Sequence, residues 1–231
     1  QRSVEWSGRS QVSGIVVLRA VERMFPDRDR IPEHLRPIAA RLRQTAPSPP
    51  PAPWTPSVTH AVGGLLSVGF VPHTDHLLVT SSAGRGLFDC VSGERVARDH
   101  GDACDFEDTF RLTPKAIGHV AGTIVPMAGL YGGGLARTTL DGWQVETVCL
   151  DWPAPLTLLV APGSHLYDSR LGHEPTLWRI DEGAGELRAW GFSSTGRTLL
   201  LATSADITFF RRPVVAAEQA AAPDERPANQ L

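Results

Sequence analysis

Two stretches of the chain, residues 65–98 and 190–212, repeat the same order of apolar and polar positions. In each stretch a Gly-Phe pair, ending at Phe70 or Phe192, precedes a polar turn and then a second apolar run. Short apolar runs separated by turn residues are typical of β-strands joined by tight turns. The pattern therefore predicts two copies of one antiparallel β-unit.

The same alternation of strands and turns continues over residues 58–213, which we interpret as one β-repeat domain. Residue types that accept a tight or left-handed backbone separate the apolar runs. These turns lie at residues 73–75, 83–86, 92–93, 132–134, 141–142, 162–163, 181–185 and 194–196. The clearest strands between them lie at residues 77–81, 144–150, 156–160, 176–180 and 207–210. Short strands at this spacing predict a mainly β fold.

The N-terminal part, residues 1–44, has a helical rather than a β period. Apolar residues recur at three- and four-residue spacings over residues 12–24, and again over residues 32–43, where Pro32 suits the first turn of a helix. Two short helices with apolar stripes are marginal alone in water. We expect this appendage to pack on the β-domain or to cover an open sheet edge, and a partner-binding role is the alternative.

Residues 45–57 separate the helical part from the β-domain. Six prolines in residues 45–56 exclude a helix or a central strand and favour an extended, semi-rigid linker. Trp54 could equally anchor this segment on the domain that follows. At the other end, residues 216–231 contain neither aromatic nor β-branched residues, and we expect residues 214–231 to be a disordered tail.

Composition narrows the class of protein. The 231 residues are 42% hydrophobic and 20% charged, with a formal net charge of -3 and a single lysine, so a nucleic-acid surface is not indicated. No apolar run is long enough to span a membrane. Cys90, Cys104 and Cys149 lack a CxxC spacing, which speaks against a disulfide framework or a structural zinc site. A reduced, cytoplasmic setting is expected.

The repeated phrase resembles the blades of β-propellers of the WD40-like or YVTN-like kind. Phe70-Val71-Pro72, the run 77–82, Gly86–Asp89 and Ser92-Gly93-Glu94 follow the order of such a blade, and residues 192–197 match its opening again. The Trp-Asp ending of the strict family is absent, with Phe88-Asp89 the nearest approach. The resemblance implies a non-catalytic scaffold that binds a protein partner.

The length of the chain limits the number of blades. At about 40 residues each, it allows only four to five, and residues 130–148 and 158–187 could each form one of the eroded middle blades. The fold expected is a small or incomplete β-propeller of antiparallel blades. An incomplete ring would be closed by another chain or in a homo-oligomer, and a propeller-like sandwich is the remaining alternative.

The densest polar cluster lies in residues 99–108, which contain five acidic residues, one histidine and one cysteine. Asp99, His100, Asp102 and Asp105 are candidate ligands of a divalent metal, because carboxylates suit calcium or magnesium and histidine suits zinc. The cluster lacks the spacing of a calcium loop and offers too few soft ligands for zinc. A solvated loop is the competing interpretation, and a metal-assisted hydrolase is the corresponding alternative function.

The candidate binding surface comprises His73, Asp75 and His76 around a tight turn, together with Trp143. No Gly-x-Ser-x-Gly elbow or other local signature of nucleophilic catalysis is present. The leading hypothesis is therefore a bacterial-type binding module rather than an enzyme. An immunity or accessory protein that acts beside a neighbouring gene product is a further hypothesis.

Overall fold

The computed structural model describes residues 31–55, 58–100, 112–151, 154–167, 174–180 and 185–213. Contacts divide the chain into two compact units, Gln1–Arg41 and Leu42–Leu231. The described residues form mainly β-structure, and all pairings between the strands are antiparallel. The expectation of a mainly β fold with antiparallel sheets is confirmed.

In the described residues the one α-helix, α1 (Arg36–Gln44), follows a 3₁₀ turn at Glu33–Leu35, and a second 3₁₀ turn lies at Gly118–Val120. Pro32 caps the first of these turns, as its fixed backbone angle and missing N–H allow. The predicted helix over residues 32–43 is thus confirmed. The first predicted helix, residues 12–24, and the predicted tail, residues 214–231, lie outside the described residues.

In the described part of the chain, twelve strands follow the helix. In chain order they are β1 (Thr59–Ala61), β2 (Leu65–Phe70), β3 (His76–Ser81), β4 (Gly84–Asp89), β5 (Glu94–Asp99), β6 (Ala128–Gly129), β7 (Gln144–Asp151), β8 (Ala154–Val160), β9 (Leu177–Ile180), β10 (Leu187–Phe192), β11 (Thr198–Thr203) and β12 (Asp206–Arg211). The first sheet has the order β5-β4-β3-β2-β6, the middle sheet β1-β12-β11-β10 and the third sheet β7-β8-β9.

The middle sheet is buried on both faces. Every residue of β11 is buried, which is why its sequence is a near-continuous apolar run rather than an alternation. Leu200 joins a core shared with the first sheet, whereas its neighbours Leu199 and Leu201 join a core shared with the third sheet. The three sheets therefore stack face to face, with the middle sheet between the other two.

The two repeated stretches form equivalent hairpins. Phe70 of β2 lies opposite Leu77 of β3, and Phe192 of β10 lies opposite Leu199 of β11. The same offset in residue number relates every other pair of the two hairpins, and both contain a β-bulge at the corresponding place. β4 and β12 continue the correspondence. The repeat predicted from the sequence is thus a repeat in strand register.

The proline-rich segment, residues 45–55 as described, packs along the β-domain. The Ser48 N–H donates to the Arg179 carbonyl at 2.9 Å, and Thr55 forms a bridge with Arg211 of β12. Trp54 is only 3% exposed and lies in the core between the middle and third sheets. Of the two interpretations of this segment, the structure shows the one in which Trp54 anchors it.

The assignment of residues 130–148 and 158–187 to separate blades is wrong. Strands β7, β8 and β9 belong to one sheet, because β7 pairs with β8 and β8 pairs with β9. A closed propeller ring is not found among the sheets that the structure describes.

Candidate functional site

Three turns meet at one end of the stacked sheets. In an antiparallel sheet alternate connections lie at the same end, so the β2–β3 and β4–β5 turns are neighbours, and the β10–β11 turn has the equivalent position in the middle sheet. The Cys90 N–H donates to the Asp75 carbonyl at 3.1 Å, and the His73 N–H donates to Ser194 Oγ at 2.9 Å. We call residues 71–75, 90–93, 193–197 and 211–213, with Thr55, the turn end.

Asp75 fastens the first sheet to the middle sheet at the turn end. Its side chain is almost fully buried, and Oδ1 accepts hydrogen bonds from three hydroxyl groups of the second repeat. The donors are Ser193 Oγ at 2.8 Å, Thr195 Oγ1 at 2.7 Å and Thr198 Oγ1 at 2.8 Å. A buried carboxylate needs such donors to offset its desolvation. The predicted surface residue Asp75 is therefore an internal crosslink, and its carboxylate is not open to a partner.

The other carboxylate oxygen of Asp75 lies 3.7 Å from Arg197 Nη1. The Arg197 side chain is about one-third exposed, while its Nε is shielded from solvent and has no hydrogen-bond partner in the described part of the chain. The Nε–H group of Arg197 therefore donates no hydrogen bond in the described residues, although Arg197 lies beside the Asp75 carboxylate.

The two histidines of the predicted surface differ in their surroundings. His73 is exposed and has a positive φ of 61°, which places it at the tip of the β2–β3 turn. The His76 ring lies edge-on to the His119 ring, with a centroid distance of 4.7 Å. His76 is half-buried, so His73 is the member of the pair that a partner could contact directly.

Trp143 belongs to the core rather than to a surface. It is 7% exposed and packs against Trp54, at a centroid distance of 5.9 Å, and against Trp178, at 6.0 Å. The backbone N–H of Trp143 also donates to Thr139 Oγ1 at 2.9 Å, and this hydrogen bond stabilises the turn before β7. Burial removes the large apolar ring of Trp143 from water, so its role here is packing rather than contact with a partner.

An ion pair joins the buried Arg212 of the turn end to the more exposed Asp141. The Arg212 guanidinium binds both carboxylate oxygens of Asp141, and its Nε donates to the Gly196 carbonyl at 2.7 Å. The same guanidinium lies over the Trp54 ring, 5.0 Å from its centroid. The hydrogen bonds from Arg212, against the effect of burial, lower the pKa of Asp141 from 3.8 to about 2. The pair is therefore fully charged at neutral pH.

A basic hollow opens at the turn end, with a volume of about 240 Å³. Its lining consists of Thr55, Val91, Arg197, Thr198, Arg211, Arg212 and Pro213. Arg211 is exposed and its Nη1 donates to the Val91 carbonyl. Sequence reasoning missed this hollow, because its arginines come from two strand ends and show no local motif. The adjacent Arg211-Arg212 pair at the end of the last strand was the one available signal.

The predicted metal ligands are only partly within the described residues. Asp99 accepts a hydrogen bond from Arg85 Nη2 at 2.7 Å, and His100 is exposed. Asp102 and Asp105 lie outside the described residues. No group of three or more metal-ligating side chains is present in the described part. The divalent-metal site stays a prediction.

Comparison of the chain with protein-family models, with curated proteins and with solved structures gave no match. In the described part, none of the helices has the length and apolar character needed to cross a membrane.

Proposed function

We propose that the chain is a non-catalytic binding module that recognises a protein partner through the turn end. The observation that carries the proposal is the crosslink made by Asp75, since it holds the turns of two sheets in one fixed arrangement beside the basic hollow. A preorganised surface loses little conformational entropy when it binds. If the chain is an immunity or accessory protein, that partner would be a neighbouring gene product.

The architecture proposed for this module is a small or incomplete propeller of WD40-like or YVTN-like blades. Two arguments support it: the first and middle sheets share one strand register, and the sheets stack face to face with equivalent turns at the same end. Because three sheets do not close a ring in the described residues, completion by a second chain, as a homo-oligomer or with the partner, is part of the proposal.

The exposed groups of the turn end suit protein recognition. His73 and Ser92 offer polar contacts, and Val91 is 42% exposed directly beside Arg211. Arginine is enriched at protein interfaces, and the centre of an interface is more apolar than the rest of the surface. Two carboxylates nearby have structural partners: Asp75 accepts hydrogen bonds from hydroxyl groups, and Asp141 forms an ion pair with Arg212.

A random-peptide library selected against the immobilised full chain tests this function. We expect enriched peptides whose binding protects the amides of the turn end from hydrogen exchange. Val91→Ser should weaken binding several-fold, whereas Val96→Ser should not, since Val96 is equally exposed at 45% but lies in strand β5. Failure to enrich any peptide, or protection confined to β5, would overturn the proposal.

A further inference from the structure

We propose that the basic hollow of the turn end binds the carboxylate of a single Asp or Glu side chain of the partner. This inference rests on the proposed binding function and names the chemistry that the site recognises. It follows from three properties of the hollow: its charge balance, its free hydrogen-bond donors and its volume.

Among the arginines that line the hollow, one lacks an ion-pair partner in the described residues. Arg212 is matched by Asp141, to which it is bound through two nitrogens. Arg197 is opposed by Asp75 at 3.7 Å. Arg211, in contrast, has a backbone carbonyl as its partner and forms no ion pair within the described residues. A group with one negative charge would therefore match the one lining arginine that has no ion-pair partner in the described residues.

The donors that remain suit a carboxylate. The Arg197 side chain lines the hollow, is about one-third exposed and has its ion contact at 3.7 Å, and the Arg211 guanidinium has further N–H groups beyond the one that binds Val91. The planar guanidinium fork matches the two oxygens of a carboxylate, and hydrogen bonds between charged groups are stronger than neutral ones. A carboxylate in the hollow would satisfy Arg197 and Arg211 together.

The volume suits a small charged group rather than a cofactor. Pockets for cofactors and other small molecules usually measure roughly 300 to 1,000 Å³, above the 240 Å³ of the hollow. A phosphate group carries nearly two negative charges at neutral pH. Asp89, whose Oδ1 accepts the Val91 N–H at 2.9 Å, adds a negative charge near the rim. Both facts favour a monoanion over a phosphate.

The test uses a library-selected peptide that binds the full chain and contains at least one Asp or Glu. Each acidic residue of the peptide is replaced in turn by Asn or Gln, and every peptide is titrated against the wild type, Arg211→Gln and the control Arg95→Gln. Arg95 is an exposed arginine of β5 that does not line the hollow. Circular dichroism melting checks that each variant is folded.

One acidic residue of the peptide should dominate. Its replacement should weaken binding to the wild type by about tenfold or more, yet have little effect on the affinity for Arg211→Gln, since both changes remove the same contact. Arg95→Gln should behave as the wild type. Added acetate should compete better than inorganic phosphate at equal ionic strength.

Other results overturn the inference and leave the proposed function standing. These are selected peptides without acidic residues, additive effects of the peptide and Arg211 changes, and stronger competition by phosphate. Failure of the selection itself would instead count against the proposed function, so the two failures are distinguishable.

Discussion

Asp75 lies 3.7 Å from Arg197, the residue that occupies the position of Asp75 in the second copy of the repeat. If both copies carried the same residue here, two like charges would meet in a poorly solvated place. The copies instead carry opposite charges, and the hydroxyl donors to Asp75 come only from the second copy. The shared strand register brings these two positions together, and the different residues that occupy them make the contact between the sheets favourable.

Replacement of Asp75 should destabilise the protein strongly. We expect Asp75→Ala to lower the free energy of unfolding by about 2–4 kcal/mol, because three hydroxyl groups lose their acceptor and Arg197 loses its counter-charge. Urea unfolding followed by circular dichroism measures the effect. Asp206→Asn is the control, since Asp206 is half-buried and accepts one side-chain hydrogen bond, from Thr203. Equal losses in both variants would contradict the special role of Asp75.

Two equivalent glycines should resist enlargement. A Cβ at Gly69 would lie 2.3 Å from the Pro126 carbonyl oxygen, and a Cβ at Gly191 would lie 2.4 Å from Leu135 Cβ. We expect either glycine-to-alanine change to cost about 1–3 kcal/mol of unfolding free energy, measured in urea. Gly63→Ala is the matched control and should be nearly neutral, because no atom lies within 4 Å of its Cβ position. A neutral Gly69→Ala would refute the close approach of Pro126.

The proline-rich segment should stabilise the β-domain mainly through the side chain of Trp54. Trp54 contacts Trp143, Phe192 and the Arg212 guanidinium, so Trp54→Ala should lower the free energy of unfolding by about 3–5 kcal/mol. Trp54→Phe keeps a stacked ring and should cost clearly less. Thermal and urea unfolding by circular dichroism give both values. If Trp54→Ala changed stability by less than about 1 kcal/mol, the segment would be a loose linker after all.

The ion pair between Arg212 and Asp141 should make stability depend on acidity. The native pKa of Asp141 is about 2, below its ordinary 3.8, so the fold favours the charged carboxylate. This contribution is present above about pH 4 and is lost as the pH falls from 4 towards 2. Because the Asp141 side chain is 36% exposed, the pH-dependent part should be only about 1 kcal/mol.

Comparison of the wild type with Asp141→Asn isolates that contribution. In urea unfolding at a series of pH values, the difference in unfolding free energy should be constant near neutrality and should narrow below pH 4. Asp206→Asn serves again as the control. A difference that stays unchanged down to pH 2.5 would show that the carboxylate does not titrate with a lowered pKa.

Most strands and turns could be predicted from the sequence because their signals are local. The apolar run from Leu77 and its counterpart from Leu199 coincide with β3 and β11, and the polar turns before them lie where expected. Pattern alone also indicated that the two hairpins are equivalent. Such features depend on residues a few positions apart, which a single sequence displays directly.

The pairing of sheets and the candidate site could not be predicted in the same way. An aspartate in a tight turn is ordinarily solvated, and nothing near Asp75 reveals hydroxyl donors more than a hundred positions later. Trp143 was predicted to be part of a binding surface because it follows an Asp-Gly turn. The structure buries it, since it packs against Trp54, which is distant in sequence. The basic hollow likewise depends on long-range packing that brings Arg197 to Arg211.

Strand β1 completes the middle sheet by pairing with β12, although almost the whole β-unit separates them along the chain. During synthesis, residues 59–61 leave the ribosome long before residues 206–211 do, and they must wait as an unpaired nascent segment. Contacts between distant parts of a chain form slowly because loop closure opposes them. The middle sheet can therefore close only after residues 206–211 have been synthesised, however early the first sheet forms.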